Sequence, residues 1–538
     1  MAGRGIDEIK IRVRGADFEE SRRFIEKYLA GRGVSSVIAS EAVLVYEAIF
    51  DDLLENGTDP DTVLTITGQN SIGDIRIRIE FKGDRYVPGE NSDPDAPESL
   101  ILSAYDDKVD YSYRSGRNRI VITVRRSHSK AMIPALIGIL LGVAVWTPVS
   151  IFTSLETELW LLDNIINPLE VLYGNMVLMI GGPLTFLSIL KNLTETHLIN
   201  DSAREANRLR LSIFYTSSIS ILLALGTAAL VFLVTGGVDS PEGYTNFSLG
   251  MTVGEVILSL SSSNIFEPFI TASPYPMLLL AVLFTYALCS VGKHFDTLKT
   301  AIDACYALFS RMLSVVIFFL PLAGFVAVAE GVLGSSFAML LKGLAYAALI
   351  PVSLAVMELY YAVRLKAKSI QVVPFAGKLL PLIHENYKIN SAIDAVPFNV
   401  RYCAREFGYS RAELSNTLPV LAQINLDGNC FVLTLTSMLM LFKGGMVINL
   451  PDMLLIAFLI LFLSVGAPNQ PGSYLIGLTI IAQYMGISGF ISSAIIGEVL
   501  FGSVINMVNV IGDIVDVTII HKIQEKSSES LSRNRTLH

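Results

Sequence analysis

The sequence predicts a multi-pass α-helical membrane protein with a water-soluble α+β domain at its N-terminus. Of the 538 residues, 52% are hydrophobic and only 17% are charged, whereas about 25% of the residues of a soluble protein are charged. The charges are uneven, because residues 1–130 hold 42 of the 89 Asp, Glu, Lys and Arg side chains. We therefore expect a soluble domain at 1–130, a membrane domain at 131–522 and a disordered cytoplasmic tail at 523–538.

Apolar runs fill the membrane domain. The first, residues 131–152, matches the ~20 residues that cross a bilayer. Further runs begin near residues 165, 211, 250, 305, 336, 417, 452 and 488. Basic residues lie in alternate connections, such as Arg125 and Arg126 before the first run and Lys191 and Arg204 after the second. The positive-inside rule then predicts that both termini are cytoplasmic, in a cell (inner) membrane whose lipid contacts the helices.

Charge and cysteine content argue against several classes of protein. The net charge of -9 argues against a nucleic-acid-binding protein. The four cysteines Cys289, Cys305, Cys403 and Cys430 form no CxxC pair, so neither a zinc site nor a disulfide framework is expected. Because charged sequence follows Met1, we expect no N-terminal signal peptide.

The soluble domain shows both helical and strand patterns. Residues 19–29 and 42–56 are predicted as helices. Residues 75–81 alternate between isoleucine and charged side chains, as a half-buried strand does, and residues 119–124 form a second strand. Residues 87–99 are rich in Pro, Asp and Glu and are predicted as a loop.

Two apolar stretches of the membrane domain are interrupted. Residues 370–416 contain several charged side chains, so this segment is poorly suited to span the membrane as one helix. Residues 464–474 contain two prolines and two glycines. Broken backbone at membrane depth is tolerated where it is buried in protein or lines a cavity. Paired interrupted segments point to the binding site of a transporter.

Polar side chains lie inside two of the most apolar runs. Asn425 and Asp427 precede a glycine in one run, and Asn509 and Asp513 share one helix face in another. Buried acids at membrane depth are costly and usually functional. Oxygen ligands of this kind suit hard cations such as sodium. The alternative is a structural polar network between helices.

Four stretches of the chain are similar to the dicarboxylate/amino acid:cation symporter family, the glutamate transporter homologues. They are NSAIDAVPFNVRYCAREFGYSRAEL, NTLPVLAQINLDGN, SVGAPNQPGSYLIGLTIIAQYMGI and NMVNVIGDIVDVTII. The resemblance implies eight transmembrane helices plus two re-entrant hairpins, a homotrimer and an elevator-type transporter fold. It also implies sodium, or a proton, as the coupling ion.

The resemblance also implies site residues. Family sodium ligands fall on Asn425, Asp427, Asn509 and Asp513, a second cation site falls near Gln423 and Ser464, and Tyr215 and Ser218 complete a third. The implied solute site comprises the hairpin tips and the last helix: Ser391, Ala392, Asp394, Ala467, Pro468, Asn469, Glu498, Gly502, Ile505 and Asn506.

This chain departs from the family pattern at its solute site. The acidic-substrate members have an Asp and an Arg where this chain has Gly502 and Ile505. Asn506 could still donate a hydrogen bond to a solute. Glu498 could carry a proton or bind a cationic group, or its carboxyl could bond to the hairpin backbone. Arg401 and Arg405 could supply positive charge or lie at the cytoplasmic end of a helix.

The soluble domain has a fainter likeness to the ATP-binding fold of anti-sigma-factor and histidine-kinase proteins. Asp51 stands where that fold has its magnesium-binding Asn, and Phe81 stands where it has its adenine-binding Asp. We therefore expect a degenerate regulatory domain that binds a cytoplasmic protein rather than ATP.

Three functions are compatible with these features. The favoured one is cation-coupled symport of a small organic solute, such as an amino acid or a dicarboxylate. The alternative is a solute-sensing membrane receptor that signals through residues 1–130. A kinase-like enzyme is disfavoured by Phe81, so we expect no enzymatic activity.

Overall fold

The computed structural model describes residues 7–32, 34, 36–55, 61–70, 74–89, 102, 109–114, 116–125, 129–198, 203–234, 245–247, 253–333, 337–443, 446–468, 470–485 and 490–535. Internal contacts divide the chain into two compact units, Met1–Ser127 and His128–His538.

The N-terminal unit is a five-stranded antiparallel sheet with two helices. Its elements are β1 (Asp7–Arg12), α1 (Gly15–Gly31), α2 (Ser36–Glu55), β2 (Val63–Asn70), β3 (Asp74–Lys82), β4 (Val109–Arg114) and β5 (Arg117–Arg125), with strand order β1-β2-β3-β5-β4. The isoleucines of β3 are fully buried, which accounts for the alternation along that strand. A small N-terminal α+β domain is thus confirmed; most of the predicted loop 87–99 lies outside the described residues.

The second unit is almost entirely helical. Its helices are α3 (Ser129–Phe152), α4 (Leu155–Leu161), α5 (Asn167–Leu198), α6 (Ala203–Val234), α7 (Val253–Ser259), α8 (Glu267–Ile270), α9 (Pro274–Ser290), α10 (Phe295–Phe318), α11 (Leu320–Leu333), α12 (Phe337–Ala367), α13 (Val372–Ile389), α14 (Val396–Glu406), α15 (Arg411–Ile424), α16 (Asp427–Lys443), α17 (Leu450–Val465), α18 (Ser473–Tyr484) and α19 (Phe490–Arg535). Two short strands, β6 (Thr245–Phe247) and β7 (Met446–Ile448), pair in parallel.

Six stretches in the described part of this unit are long and apolar enough to cross a membrane. They lie within residues 132–152, 155–194, 211–233, 292–318, 413–441 and 491–523. The predicted run 250–292 is not one helix, because its polar middle divides it into α7, α8 and α9. A helical membrane protein is confirmed, while the count of eight spanning helices stays a prediction.

Both interrupted segments fold as two short helices joined by a turn. Asn390 has left-handed backbone angles (φ 51°, ψ 37°) between α13 and α14, and an amide pair joins those helices through Asn386 and Asn399 at 2.7 and 3.2 Å. Gly472, with φ +96°, ends the turn between α17 and α18. α17 has 16 residues and α18 has 12, so each is shorter than the ~20 residues of a full span.

The core of this unit lies where α16, α18 and α19 meet. In the apolar 18-residue part of 413–441, 94% of the residues are buried by the rest of the chain, against 17% in the corresponding part of 292–318. The helix break that carries Asn425 and Asp427 is therefore central, and α10 is peripheral.

Candidate ion- and solute-binding site

The centre of the site is a break between two helices. α15 ends at Ile424 and α16 begins at Asp427, and Asn425 between them has φ -87° and ψ 74°. A break frees backbone groups that an intact helix would pair. The side chains of Asn425 and Asp427 are fully buried at this break.

α19 supplies the opposite wall. Asn509 and Asp513 are one helical turn apart and are both at least 98% buried. The Gly428 N–H donates to Asn509 Oδ1 at 2.8 Å, and Asn425 Nδ2 donates to Asp513 Oδ1 at 3.1 Å. The structure therefore brings together the four residues that the sequence indicated as the main cation ligands.

Asn425, Asp427, Asn509 and Asp513 form one buried cluster, and hydroxyl groups of α6 also contact it. Thr216 Oγ1 lies 3.0 Å from Asn425 Oδ1, and Ser217 Oγ donates to Asp427 Oδ1 at 3.3 Å. Ser220 Oγ donates to the Asp427 carbonyl at 2.6 Å.

Two predicted ligands on α6 do not lie in this cluster. The Tyr215 side chain is 57% exposed, and Ser218 Oγ donates to the Phe214 carbonyl of its own helix. The residue choice needs this correction because hydroxyl side chains occupy consecutive positions 215–218 of α6 and so point to every face of the helix, and its sequence does not reveal which face turns inward. Thr216, Ser217 and Ser220 share the inward face instead.

An ion pair absent from the sequence prediction extends the cluster. Asp516 is fully buried, and its Oδ1 accepts from Arg364 Nη2 at 2.5 Å and from Ser212 Oγ at 3.1 Å. Its Oδ2 accepts from Asn425 Nδ2 at 3.2 Å. Asp516 could have been found as an intramembrane acid one turn after Asp513, whereas Arg364 resembled a residue of a basic loop and is instead a buried partner.

The donor set fits a small hard cation. Carboxylate, amide, hydroxyl and backbone oxygens face one another here, and sodium-like cations prefer such ligands. Among its described residues the cluster holds three carboxylates, of Asp427, Asp513 and Asp516, and one guanidinium, that of Arg364, which pairs with Asp516. In the described part of the chain, no three His, Cys, Asp or Glu side chains form a metal site by themselves, so a cation here would need the amide and hydroxyl oxygens too.

Ser464 and Gln423, the residues of the predicted second cation site, contact different partners. Ser464 is fully buried and accepts from Cys430 Sγ at 2.9 Å. The Gln423 carbonyl accepts from Asn192 Nδ2 at 3.4 Å. Neither contact by itself indicates a second ion.

The helix pair α13 and α14 forms a first hairpin, and the pair α17 and α18 forms a second. A narrow pocket lies between the tips of these two hairpins and α19. The space open to the centre of a water molecule is about 10 Å³, room for about one water. Its walls come from both hairpins, α16 and α19: Asn390, Asn429, Gln470, Pro471, Ser473, Tyr474, Glu498, Gly502, Ile505 and Asn506.

Four predicted solute-site residues line this pocket, all on α19. Ile505 is buried, and Asn506 Nδ2 donates to the Asn390 carbonyl at 3.0 Å. Both carboxylate oxygens of Glu498 accept backbone hydrogens from the second hairpin, Gly472 N at 2.8 Å and Leu475 N at 3.1 Å. Gly502 leaves room for that carboxylate, because an added Cβ would lie 2.7 Å from Glu498 Oε1.

The predicted hairpin residues are placed beside the pocket rather than in its lining. Ser391 Oγ accepts from the Asp394 N–H at 3.2 Å, which fixes the first turn, and Ala392 is buried. Ala467 and Pro468 are buried in the second turn. Asn469 lies outside the described residues.

The model of the sodium:dicarboxylate symporter family matches residues 129–523. This match covers the cluster, the pocket and both hairpins. The chain belongs to the sodium:dicarboxylate symporter family. A search of characterised proteins found no match. The family confirms an integral membrane transporter rather than an enzyme, and it implies sodium as the coupling ion and a small solute as the substrate.

Arg401 and Arg405, which the sequence offered as possible contacts of a solute, make their hydrogen bonds outside the pocket. Arg401 Nε donates to the Pro397 carbonyl at 3.2 Å, and Arg405 Nε donates to Glu406 at 2.8 Å. Neither lines the pocket.

In the symporter's N-terminal unit, the buried carboxylate of Asp52 is hydrogen-bonded to other residues of the same unit. Asp51 is exposed, whereas its neighbour Asp52 is buried and accepts hydrogen bonds from Tyr86 OH and from the Gly89 N–H. Burial and the Asp52 carboxylate raise the pKa of Tyr86, so this phenol stays protonated. Phe81 is buried and packs edge-on against Tyr86. The ATPase likeness stays a prediction.

Proposed function

We propose that this chain couples sodium entry to the symport of a small organic solute across the cytoplasmic (inner) membrane, with both termini inside. The observation that carries the proposal is the buried cluster of Asn425, Asp427, Asn509 and Asp513. Buried carboxylates at membrane depth are costly unless they are paired or liganded. A dehydrated sodium ion would neutralise this excess negative charge and would satisfy the free oxygens.

The hairpin tips supply the gate in this proposal. Gly466 of the second tip approaches α5 so closely that an added Cβ would lie 2.3 Å from Ile189, and at Gly472 it would lie 2.8 Å from Ile317 of α10. The contacts at Gly466 and Gly472 are apolar, and Ser188 Oγ of α5 adds one hydrogen bond of 3.4 Å to the Ala467 carbonyl of the tip. A mainly apolar contact suits a surface that slides. These contacts support an elevator motion in which the site-bearing helices move past α5 and α10, in a homotrimer as the family resemblance implies.

We assign residues 1–127 a regulatory role, in which the exposed faces of the sheet unit bind a cytoplasmic protein. The Asp52–Tyr86 contact holds the segment after β3 against α2 without a ligand. Phe81 stands where the resembling fold has its adenine-binding Asp and cannot accept a hydrogen bond from adenine, so we favour protein recognition over nucleotide binding.

The test is uptake by proteoliposomes that contain the full chain. Radiolabelled amino acids and dicarboxylates are supplied with an inward sodium gradient and, in parallel, with choline in place of sodium. We expect accumulation only with the sodium gradient, and its collapse when the gradient is dissipated. Binding without accumulation would favour the receptor alternative, and accumulation unaffected by sodium would contradict the coupling.

A further inference from the structure

The described residues that line the pocket include no cationic side chain. The segments that build it are residues 389–396, 464–474 and 498–509, and none of them contains Lys, Arg or His. Among the lining residues the only ionisable carboxyl group is that of Glu498, which is 98% buried. A carboxylate of a solute would therefore meet no cationic partner among the lining side chains.

Glu498 is held in a defined position. Gly472 N and Leu475 N each donate to a different carboxylate oxygen, and the missing side chain at Gly502 leaves room for Oε1. A carboxylate offers about four acceptor sites. The hairpin uses three of them, because the backbone of Tyr474 also bonds to this carboxylate, so the group retains capacity to accept one more hydrogen bond from a solute.

The remaining polar lining groups are neutral amides and hydroxyls. Asn506 is anchored to Asn390 at 3.0 and 3.1 Å, and Asn429 Nδ2 donates to Ser473 Oγ at 3.0 Å. Gln470 Nε2 is buried, and the described residues give it no hydrogen-bond partner. Such a donor suits a carbonyl, hydroxyl or single carboxylate oxygen of a solute.

We propose that this pocket, when the hairpin tips separate and enlarge it beyond the volume of one water molecule, takes a small solute that bears an ammonium group and has no net negative charge, and that Glu498 is the residue that recognises the ammonium. The inference rests on the proposed function and narrows its substrate class. A dicarboxylate would place like charges beside Glu498 in a water-poor site, where such repulsion is little screened. A neutral or basic amino acid would pair with Glu498 instead.

The same geometry links recognition to the gate. Glu498 holds Gly472 and Leu475, which lie at the start of the second helix of the hairpin. An ammonium on Glu498 would contact the group that fastens the hairpin tip. Solute occupancy and closure of the tip then depend on one carboxylate.

The test is thermal unfolding of the purified full chain in sodium chloride and in choline chloride. The probes are L-serine, L-glutamine and L-lysine on one side and succinate, L-malate and L-aspartate on the other. We expect sodium alone to raise the unfolding temperature, and only members of the first group to raise it further. A ligand that binds only the folded state stabilises it in this way.

Two variants test the role of Glu498. Glu498→Gln removes its charge, and Gly502→Ala displaces its carboxylate; Gly226→Ala, with no neighbouring atom within 4 Å of the added Cβ, is the matched control. We expect Glu498→Gln and Gly502→Ala to lose the rise in unfolding temperature that the solute causes and to keep the rise that sodium causes. The control should keep both rises.

The outcomes separate the two claims. Stabilisation by succinate, L-malate or L-aspartate, no stabilisation by any member of the first group, or retention of the rise that the solute causes in both variants would overturn the inference. If sodium does not raise the unfolding temperature of the wild-type chain, that result would count against the proposed function instead.

Discussion

At the scale of single residues, Asn425 organises the cation cluster. Its Nδ2 donates to both Asp513 and Asp516, so its Oδ1 must face Thr216 on the other side. Thr216 Oγ1 also lies 3.0 Å from the Ser212 and Ile213 carbonyls of its own helix, and its single hydrogen can go to either of them. The amide oxygen of Asn425 is then available to a cation.

Arg364 and Asp516 give a prediction at this scale. Arg364→Gln removes the partner of a fully buried carboxylate, and breaking a buried pair in this way costs about 3–5 kcal/mol. We expect the double variant Arg364→Gln/Asp516→Asn to lose less stability than the sum of the two single variants. Unfolding of the four proteins in detergent measures this coupling; additive losses would contradict the assigned pairing.

The inward face of α6 shows where residue-level prediction from sequence ends. Asn425, Asp427, Asn509 and Asp513 could be found because polar residues inside apolar runs are conspicuous. Thr216 and Tyr215 are adjacent in α6, and only the rotation of this helix, which packing decides, places Thr216 in the cluster and leaves Tyr215 exposed. Arg364 was hidden by its place beside other basic residues.

At the scale of elements, the approach of α16 to α19 depends on Gly428. An added Cβ there would lie 2.8 Å from the Ile505 carbonyl and 2.9 Å from Asn509 Oδ1. A backbone carbonyl cannot move aside as a flexible side chain can. The helix break and the glycine therefore act together to bring Asn425 and Asp427 to the α19 face.

Gly428→Ala is the prediction that follows. Overpacking of this kind costs about 1–3 kcal/mol, and it also displaces the bond to Asn509. Gly226→Ala in α6 is the matched control, because its added Cβ has no neighbour within 4 Å. We expect a lower unfolding temperature and weaker sodium stabilisation for Gly428→Ala alone; equal behaviour of the two variants would contradict the close approach.

The elements themselves were partly predictable. Strand β3 followed from its alternation, and the two interrupted segments followed from their prolines, glycines and charges. The composition of residues 250–292 predicts one apolar stretch, whereas Asn264 and Glu267 lie where the stretch divides and hydrogen-bond within the turns between α7 and α8. Local polar bonding of this kind competes with a continuous helix.

At the scale of the whole molecule, composition alone separates the chain into two parts. The charged N-terminal part forms its own sheet unit, and the apolar part forms a helical unit with one large buried core. What composition does not reveal is the solute class, because in our proposal that class depends on the carboxylate of Glu498 and on pocket-lining residues that, where the structure describes them, include no cationic side chain. The pocket geometry supplied this point.

The most direct test of the account is sodium stabilisation of the purified full chain. A ligand at about 100 times its Kd stabilises the folded state by about 2.7 kcal/mol. We predict that the unfolding temperature of the wild-type chain rises with sodium concentration, at constant ionic strength, and that Asp427→Asn and Asp513→Asn lose this rise. Asp452→Asn, which changes a buried acid outside the cluster, should retain it. An undiminished sodium response in both cluster variants would contradict the assignment of these oxygens to the ion.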